Sequence, residues 1–444
     1  MVTDKTTLYD LAILSQQDGQ SLYDVINQCR TAGGSQRLLY FFQHPLADLD
    51  KIRQVQQTLQ LMLEVQPGWT KRITNGSILV IEKYYHTPFD DIPGSGSDIS
   101  GWMYKVFHGP DFSLVRYTVE HAFDFVRGMQ ELAELLDQPT APPILRQHID
   151  AIRKLTQHNV LQLVQKAPKA RELSIGQQMQ LGHFFRYHYK LQMQELLDHY
   201  FQLDAWYGMA QAMKQYQLRF PEFVSSDRPQ LCAKQLYHLL LPKPVAYDLT
   251  LDEQGNFLFL TGANMAGKST FIRAVGTAVF LAHLGMGVPA ASLQLSMFDG
   301  LLTNINVTDN LVRGESYFFN EVQRIKRTVQ QVTDGRKWLI LIDELFKGTN
   351  VQDAMKCSLE VIEGLLKVRP SLFILSTHLY EIGTSLQPQP NIRFAYFETG
   401  VHNDELSFSY QLKPGISNDR LGYLILRNEG VVKLLQDIPG PDAG

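Results

Sequence analysis

Residues 257–270 read Phe-Leu-Phe-Leu-Thr-Gly-Ala-Asn-Met-Ala-Gly-Lys-Ser-Thr, an apolar run followed by a glycine-rich loop. The loop fits the pattern G-x-x-x-x-G-K-[ST] without a gap, and the apolar pattern over 270–284 predicts a helix directly after it. Backbone N–H groups of such a loop converge on phosphate oxygens, and the N-terminus of the helix adds favourable partial charge. The stretch therefore predicts a phosphate site between a buried strand and a helix. A glycine-rich turn without a ligand is the alternative.

A second apolar run, over 338–342, ends in the adjacent carboxylates Asp343 and Glu344. Buried strands seldom end in two acids unless something cationic lies there. We expect Asp343 to hold Mg²⁺ together with the Ser269 hydroxyl, and Glu344 to orient or deprotonate an attacking water. Lys268 is expected to neutralise the β- and γ-phosphates. A strand that reaches solvent with two hydrated acids is the alternative for this motif taken alone.

A third apolar run, over 372–375, is followed by Ser376, Thr377 and His378. In open α/β sheets the ligand lies at the carboxyl ends of the strands, so all three motifs should meet at one edge. His378 is a candidate sensor of the γ-phosphate, and a polar turn is its alternative. The sequence has no N-K-x-D motif for guanine, so ATP with Mg²⁺ is the expected nucleotide.

The first half of the chain has the periodicity of helices. Apolar residues over 115–136 fall on one face of a helix. The stretch 177–217 contains no proline and repeats apolar residues at helical spacing, which predicts one continuous helix of roughly 60 Å at about 1.5 Å per residue. Such a rod could carry a displacement from one end of the molecule to the other. Prolines at 139, 142 and 143 break the chain between these two stretches.

After about residue 229, short apolar runs alternate with helical stretches, which is typical of a buried, mostly parallel sheet flanked by helices. We therefore predict an α+β multidomain chain. An all-helical half over 1–224 precedes an α/β half over 225–444.

The amino-acid composition excludes several classes of protein. With 44% hydrophobic and 19% charged residues the chain is predicted to be globular, and its net charge of −4 does not by itself demand a nucleic acid. The three cysteines are far apart and form no CxxC pair, which argues against a zinc module or a disulfide framework. The first residues lack the pattern of a secretory signal, and the most apolar stretch is interrupted by histidine, proline and glycine. We expect a cytoplasmic protein without a membrane partner.

The stretch 261–270 resembles the phosphate loop of the MutS mismatch-repair family, including the Asn264–Met265 pair that most phosphate loops lack. The stretch 343–353 is similar to that family's acidic strand end, and 314–321 to its signature segment. A looser likeness extends upstream. The resemblance implies an ABC-type P-loop ATPase domain that hydrolyses ATP, preceded by a helical core and lever domain.

The resemblance also implies a homodimer with two composite sites, because the signature serine of the family faces the nucleotide of the opposite subunit. A helix N-terminus capped by Ser316 is the alternative for that segment. The ATP-binding residues implied are Gly262, Asn264, Met265, Gly267, Lys268, Ser269, Thr270 and, in trans, Ser316. The candidate catalytic residues are Glu344, Lys268 and His378, and the candidate metal ligands are Ser269 and Asp343.

Some positions depart from the family's pattern. Ala263 and Ala266 replace a proline and a glycine of the loop, and alanine fits if φ is negative there. Phe346 replaces a glycine after the acidic pair. Tyr247 replaces the asparagine of the segment that approaches adenine, where a tyrosine could stack. We find no counterpart of the mismatch-reading and connector domains, and the clamp is absent or replaced by a short basic segment.

The leading hypothesis is a MutS-like ATPase that couples ATP to DNA binding, possible pathways being mismatch repair and related processing of DNA structures. Contact with the DNA backbone would come from the basic segment, and a solvated helix face is its alternative. An ATP-gated scaffold that grips a protein partner is a second hypothesis, and a transporter motor fits poorly because the L-S-G-G-Q motif is missing. The basic segment comprises Arg146, Arg153, Lys154, Lys166, Lys169 and Arg171.

Overall fold

The computed structural model describes residues 1–14, 19–263, 265–306, 317–402, 405–417 and 426–436. The helices are α1 Lys5–Asp10, α2 Leu22–Ile26, α3 Ala32–Gln43, α4 Leu49–Val65, α5 Asn75–Tyr84, α6 Asp98–Phe107, α7 Gly109–Leu136, α8 Pro143–Thr156, α9 Gln162–Lys166, α10 Ile175–Tyr187, α11 Lys190–Gln215, α12 Lys268–His283, α13 Tyr317–Val332, α14 Val351–Leu365, α15 Glu381–Leu386 and α16 Val431–Gln436. The strands are β1 Glu222–Phe223, β2 Leu231–Leu236, β3 Tyr247–Leu251, β4 Phe257–Thr261, β5 Ser292–Leu295, β6 Gly300–Asn304, β7 Trp338–Asp343, β8 Leu372–Ser376, β9 Ile392–His402 and β10 Glu405–Pro414.

The chain forms two compact units. One comprises Met1–Asp24, Pro45–Leu49 and Gln217–Gly444, and we call it the sheet unit. The other comprises Val25–His44 and Asp50–Tyr216, and we call it the helical unit. The described part of the N-terminal half is helical, and the C-terminal part mixes helices with sheets. The first 24 residues therefore lie with the C-terminal part of the chain, whereas the sequence placed them in the helical half.

In the helical unit, α7 matches the helix predicted over 115–136. The apolar residues that define its predicted face are all buried, namely Val115, Val119, Ala122, Phe123, Val126, Met129, Ala133 and Leu136. Gly109 and Pro110 begin the helix, where the missing N–H of proline costs nothing. The helix ends at Leu136, three residues before Pro139, the first of the prolines that mark a break in the sequence. The 3.6-residue period was sufficient to predict this element.

The prediction of one continuous helix over 177–217 is wrong. Helices α10 and α11 are separated at His188 and Tyr189, whose φ angles are −122° and −126°. Tyr189 is buried at this break, and its hydroxyl donates a hydrogen bond to the carbonyl of Leu155 at 2.7 Å. Helix α10 packs against α6 and α7, while α11 packs against α3. No glycine or proline marks the break, so it has no local signal in the amino-acid sequence.

The basic segment of the helical unit lies on α8, α9 and the turn after α9. Two of its arginines have partners within the unit. Arg146 donates to the carbonyls of Pro139 and Ala141, at 3.0 and 2.8 Å, and Arg153 forms an ion pair with Asp137 at 2.6 Å. These contacts fix the turn between α7 and α8. The other four basic side chains are exposed, namely Lys154, Lys166, Lys169 and Arg171.

The sheet unit contains a six-stranded sheet in the order β10-β9-β4-β8-β7-β6. Strands β9, β4, β8, β7 and β6 are parallel, and β10 pairs antiparallel with β9. Every residue of β4, β7 and β8 is buried, which explains their continuous apolar sequences. The prediction of a buried, mostly parallel sheet is confirmed. A second sheet has the order β1-β5-β2-β3.

The N-terminal helix α1 packs on β6, at one side of the six-stranded sheet. Its last residue, Asp10, is buried and accepts hydrogen bonds from the Thr303 hydroxyl at 2.7 Å and from the Arg324 guanidinium at 2.6 Å. The backbone N–H of Ile305 donates to the same carboxylate at 2.9 Å. A buried carboxylate is tolerated only when it is paired in this way, so these contacts attach the first residues to the sheet. Among the described helices, none is long and apolar enough to cross a membrane.

Candidate nucleotide site

Three of the parallel strands end at the same edge of the six-stranded sheet, and each is followed by one of the predicted motifs. Strand β4 lies beside β8 and leads into the glycine-rich loop and α12. Strand β7 lies on the other side of β8, with Asp343 opposite Ser376 in the register. The backbone N–H of Glu344 donates to the Ser376 carbonyl at 2.9 Å. The topology therefore brings the loop, the two acids and the strand end of β8 together.

The glycine-rich loop has the left-handed backbone that its two glycines permit. Gly262 has φ 139° and Gly267 has φ 107°, conformations that side chains with a Cβ rarely adopt. A Cβ at Gly262 would also lie 3.3 Å from the backbone of Phe397. Ala263 and Ala266 are not among the residues with positive φ, so the expectation that alanine fits both positions is confirmed.

Lys268 is the first residue of α12 and its side chain lies under the loop. Its ammonium group donates to the carbonyls of Gly262 at 2.7 Å and Ala263 at 3.0 Å. Burial lowers the pKa of Lys268, while the carboxylates of Glu344 and Asp343 favour its charged form. The position is thus a buried cation held by two neutral carbonyls. An anion bound in the loop would provide the negative charge that these two neutral carbonyls do not provide to the ammonium group.

The carboxylate of Asp343 is shared by two hydroxyl groups. Ser269 donates to one of its oxygens and Ser376 donates to the other. Asp343 is only 7% exposed, so both contacts are shielded from solvent. A hydroxyl oxygen beside a carboxylate oxygen is a ligand set that suits Mg²⁺, which prefers hard oxygen donors. The residues predicted as metal ligands therefore lie in direct contact.

Glu344 follows Asp343 in a left-handed conformation, with φ 65°, and its carboxylate is mostly buried. Its Oε2 atom lies 3.2 Å from the Lys347 ammonium and 3.6 Å from His378 Nδ1. Burial opposes ionisation of Glu344, but hydrogen bonding and charge from His378 and Lys347 outweigh it and lower the pKa to about 2. Glu344 is therefore an ionised hydrogen-bond acceptor at neutral pH. His378 lies behind it and is half exposed.

The part of the chain that forms this edge of the sheet matches a family model. Residues 258–434 match the family model of MutS domain V. The match supports membership of the MutS family, in which domain V is the ATPase domain. The matched range begins inside β4 and includes the glycine-rich loop, both acids after β7 and His378. The helical unit lies outside this range.

Within the matched range, Phe346 stands where the family resemblance places a glycine. Its φ of 58° explains the preference for glycine at this position. The phenylalanine ring is 4% exposed and packs near the Phe318 ring, with 5.7 Å between centroids. The next two residues are held from α13, because the N–H groups of Lys347 and Gly348 donate to the buried carboxylate of Glu321 at 3.0 and 3.1 Å. The loop after the acidic pair is thereby tied to the helix of the signature segment.

A cavity of about 650 Å³ opens at the glycine-rich loop. Its size is in the range of ligand sites in proteins. A cavity of about 760 Å³ in the helical unit is larger but contains none of the predicted site residues. We assign the ligand site by its chemistry and not by its size. The residues that line the 650 Å³ cavity are Leu241, Lys243, Val245, Tyr247, Ala263, Met265, Gly267, Lys268, Ser269, Thr270, Glu344, Lys347 and Tyr410.

Two tyrosines form part of the cavity wall beside Gly267. The ring of Tyr247 is 5% exposed and meets Phe271 and Phe397 edge to face, so it is not free to stack on a base. A Cβ at Gly267 would lie 3.7 Å from the Tyr247 hydroxyl and 3.3 Å from the Tyr410 ring. Tyr410 is 39% exposed. The expectation of a stacked tyrosine at 247 is therefore wrong, and the accessible ring is that of Tyr410.

Sequence reasoning missed Tyr410 because it lies far along the chain from every motif. The pairing of β9 with β10 shifts register between Phe408 and Leu412, and Tyr410 within this bulge has φ 53°. Bulges often turn a side chain toward a site. The alternation of apolar and polar residues along β10 does not indicate this bulge. Two predicted ATP-binding residues, Asn264 and Ser316, lie outside the described residues, so their positions stay predictions.

Proposed function

We propose that this protein is a MutS-like P-loop ATPase that binds ATP with Mg²⁺, hydrolyses it in a homodimer and couples this cycle to DNA. The observation that carries the proposal is the contact of Ser269 with Asp343 beside Lys268 and Glu344, at the mouth of a ligand-sized cavity. The match of residues 258–434 to MutS domain V also supports it. Mismatch repair is proposed as the pathway on the resemblance alone.

Each residue of the site has a distinct part in the proposed reaction. The loop N–H groups and the Lys268 ammonium bind the phosphates, exchanging the carbonyl contacts of Lys268 for phosphate oxygens. Ser269 and Asp343 hold Mg²⁺, which neutralises charge on the phosphates when bound. Glu344 accepts a hydrogen bond from the attacking water and orients it. With a pKa of about 2 it can take the proton only if its contacts with Lys347 and His378 loosen.

The proposed dimer follows from the resemblance and from the chemistry of the site. Met265 lines the cavity and is 73% exposed. A second subunit that supplies Ser316 would cover the nucleotide and exclude water there. Glu321 accepts hydrogen bonds from the backbone of Lys347 and Gly348, and the Lys347 ammonium forms an ion pair with Glu344. A subunit contact that moved α13 would therefore also move the carboxylate that orients the water.

For the base, we propose that Tyr410 stacks on adenine and that the Tyr247 hydroxyl hydrogen-bonds the nucleotide. We expect Tyr410→Ala to weaken ATP binding about 5- to 150-fold, because stacking on an aromatic ring contributes about 1–3 kcal/mol per base. Tyr410→Phe retains the ring and should bind within about 2-fold of the wild type. Isothermal titration with a slowly hydrolysed ATP analogue measures both values. If Tyr410→Ala binds the ATP analogue as tightly as the wild type, Tyr410 does not contact the base.

The DNA part of the proposal rests on the four exposed cations of the basic segment. Charge reversal of Lys154, Lys166 and Lys169 together should weaken DNA binding and reduce the slope of log affinity against log salt by about 2–3, since each phosphate contact contributes about 0.9. Filter binding across salt concentrations measures the slope for duplex, branched and single-stranded DNA. Reversal of Lys51, Lys71 and Lys83, which are also exposed in the helical unit, is the matched control. No detectable binding of any DNA at low salt would refute this part.

The second candidate is an ATP-gated scaffold that binds a protein partner. It is favoured by the internal contacts of Arg146 and Arg153, which remove two of six cations from the basic segment. The net charge of −4 points the same way. ATPase rates measured with and without the three DNA structures separate the two functions. Stimulation by DNA supports the first, whereas rates indifferent to DNA, with a partner that copurifies, support the second.

A further inference from the structure

Glu344 has two basic neighbours, and one of them faces the ligand cavity. The Lys347 ammonium lies 3.2 Å from Glu344 Oε2, and His378 Nδ1 lies 3.6 Å from the same atom. Lys347 lines the cavity of about 650 Å³, whereas His378 is not among the described residues that line it. A ligand in the cavity can therefore reach the ammonium of Lys347 more directly than the ring of His378.

The backbone of Lys347 is held in place, while its side chain is long and partly exposed. Its N–H donates to the buried carboxylate of Glu321 at 3.0 Å. The preceding residue, Phe346, is 4% exposed and packs near the Phe318 ring. The Lys347 side chain is 36% exposed, and a lysine side chain is a flexible four-carbon stem that ends in a compact charge. Rotation about the bonds of this stem can move the ammonium without a change in the loop.

The ammonium of Lys347 also lies near the lysine of the glycine-rich loop. Burial lowers the pKa of Lys268, and the charge of Lys347 lowers it further. The two ammonium groups are thus close enough to act on one another, and both residues line the cavity. Glu344 is the single carboxylate among the described residues of this lining. An anion that contacts Lys268 therefore also interacts with the charges of Lys347 and Glu344.

The ion pair with Lys347 is unsuited to the part proposed for Glu344 in hydrolysis. It occupies a carboxylate that has to accept a hydrogen bond from the attacking water. An ionised Glu344 would also repel the γ-phosphate, because like charges in a mostly buried site disfavour one another. Both obstacles are reduced if the ammonium of Lys347 moves from the carboxylate to the γ-phosphate.

We propose that the Lys347 ammonium exchanges the Glu344 carboxylate for the γ-phosphate when ATP binds, so that Glu344 becomes available to water only when the phosphate to be cleaved is present. This inference rests on the proposed ATPase function and adds how the site distinguishes ATP from ADP. ADP has no γ-phosphate, so it leaves the ion pair in place. In the reaction the γ-phosphorus forms a bond to the water oxygen, its bond to the bridging oxygen of ADP breaks, and Glu344 takes a proton from the water.

Lys347→Met should weaken binding of a slowly hydrolysed ATP analogue about 5- to 100-fold and change ADP binding by less than about 2-fold. The variant loses a charged hydrogen bond to the γ-phosphate, and the partly exposed ion pair that this bond replaces contributes little. Methionine keeps the length of the stem, and the backbone N–H can still donate to Glu321. Isothermal titration with both nucleotides measures the ratio of the two affinities.

Two further variants control for the loss of a cation. Lys347→Arg keeps the charge and should restore the ratio to within about 3-fold of the wild type. Lys356→Met changes an exposed lysine on α14 that is not among the described residues of the cavity lining. It should bind both nucleotides as the wild type does. Circular dichroism verifies that all three variants are folded.

Steady-state kinetics separate this role from simple support of Glu344. In Lys347→Met the carboxylate is no longer held by an ammonium, so kcat should stay within about 3-fold of the wild type while KM for ATP rises. If Lys347 instead oriented Glu344 during the reaction, the substitution would lower kcat as Glu344→Gln does. It would then leave the ratio of ATP to ADP affinity unchanged.

The proposal is overturned if Lys347→Met binds the ATP analogue and ADP in the wild-type ratio, or if its kcat falls about 100-fold. It is also overturned if His378→Asn changes the ratio while Lys347→Met does not, because His378 would then detect the γ-phosphate. In each of these cases the wild type still binds and hydrolyses ATP. A wild type that binds neither nucleotide would refute the proposed ATPase function itself, so the two failures are distinguishable.

Discussion

Glu344→Gln is expected to bind ATP with an affinity within about 3-fold of the wild type and to hydrolyse it at least about 100-fold more slowly. Glutamine keeps the size of the side chain but loses the charge that orients and accepts a proton from water, a contribution of about 10²–10⁴ in rate. The carboxylate is ionised in the nucleotide-free site, with a pKa of about 2, so the substitution removes a full negative charge. Single-turnover hydrolysis measures the rate, and titration with a fluorescent ATP analogue measures the affinity.

The same variant should accumulate an ATP-bound dimer, because the step that releases it is blocked. Size exclusion with ATP and Mg²⁺ should show a larger dimer fraction for Glu344→Gln than for the wild type. Glu363→Gln, an exposed acid on α14, is the matched control and should behave as the wild type. Hydrolysis at the normal rate by Glu344→Gln would show that another group orients the water. If the dimer fraction does not change when ATP is added, dimerisation does not depend on the nucleotide and the proposed link between hydrolysis and assembly is wrong.

The edge of the sheet could be predicted because it depends on local rules. Continuous apolar runs such as Trp338–Ile342 identify buried parallel strands, and parallel strands bring their carboxyl ends to one edge. The spacing of the motif G-x-x-x-x-G-K-[ST] then determines that Lys268 and Ser269 lie at this edge. The contact of Ser269 with Asp343 is the direct product of these two rules, although 74 residues separate them.

Features set by tertiary packing were not predictable in the same way. The break at Tyr189 is stabilised by a hydrogen bond to Leu155, a residue of another helix. Tyr410 reaches the cavity through a bulge that depends on how β10 pairs with β9. Residues Met1–Asp24 join the sheet unit through the buried carboxylate of Asp10, and nothing near that residue in sequence indicates its partners. In each case the partner is distant in sequence, so no local pattern reports it.

Lys268→Met is expected to abolish measurable ATP binding at millimolar concentrations. The ammonium of Lys268 is the cation that lies under the loop, and hydrogen bonds to charged groups contribute about 1.5–3 kcal/mol each. Two such bonds correspond to a loss of about 10²–10⁴ in affinity. Methionine preserves the length and packing of the buried stem, so the change isolates the charge. Isothermal titration with ATP and Mg²⁺ measures the loss, and Lys243→Met, an exposed cation in the wall of the same cavity, should retain most of the affinity.

The direction of the pKa shift argues against loss of folding as the cause. Burial lowers the pKa of Lys268, so the unfolded chain binds this proton more tightly than the folded chain. At pH 7 the buried charge therefore costs stability in the absence of nucleotide, and Lys268→Met should leave the melting temperature unchanged or raise it. ATP should raise the melting temperature of the wild type and leave that of the variant unaltered. A variant that still binds ATP tightly would show that the phosphates do not lie on this loop, and the nucleotide site would have to be placed elsewhere.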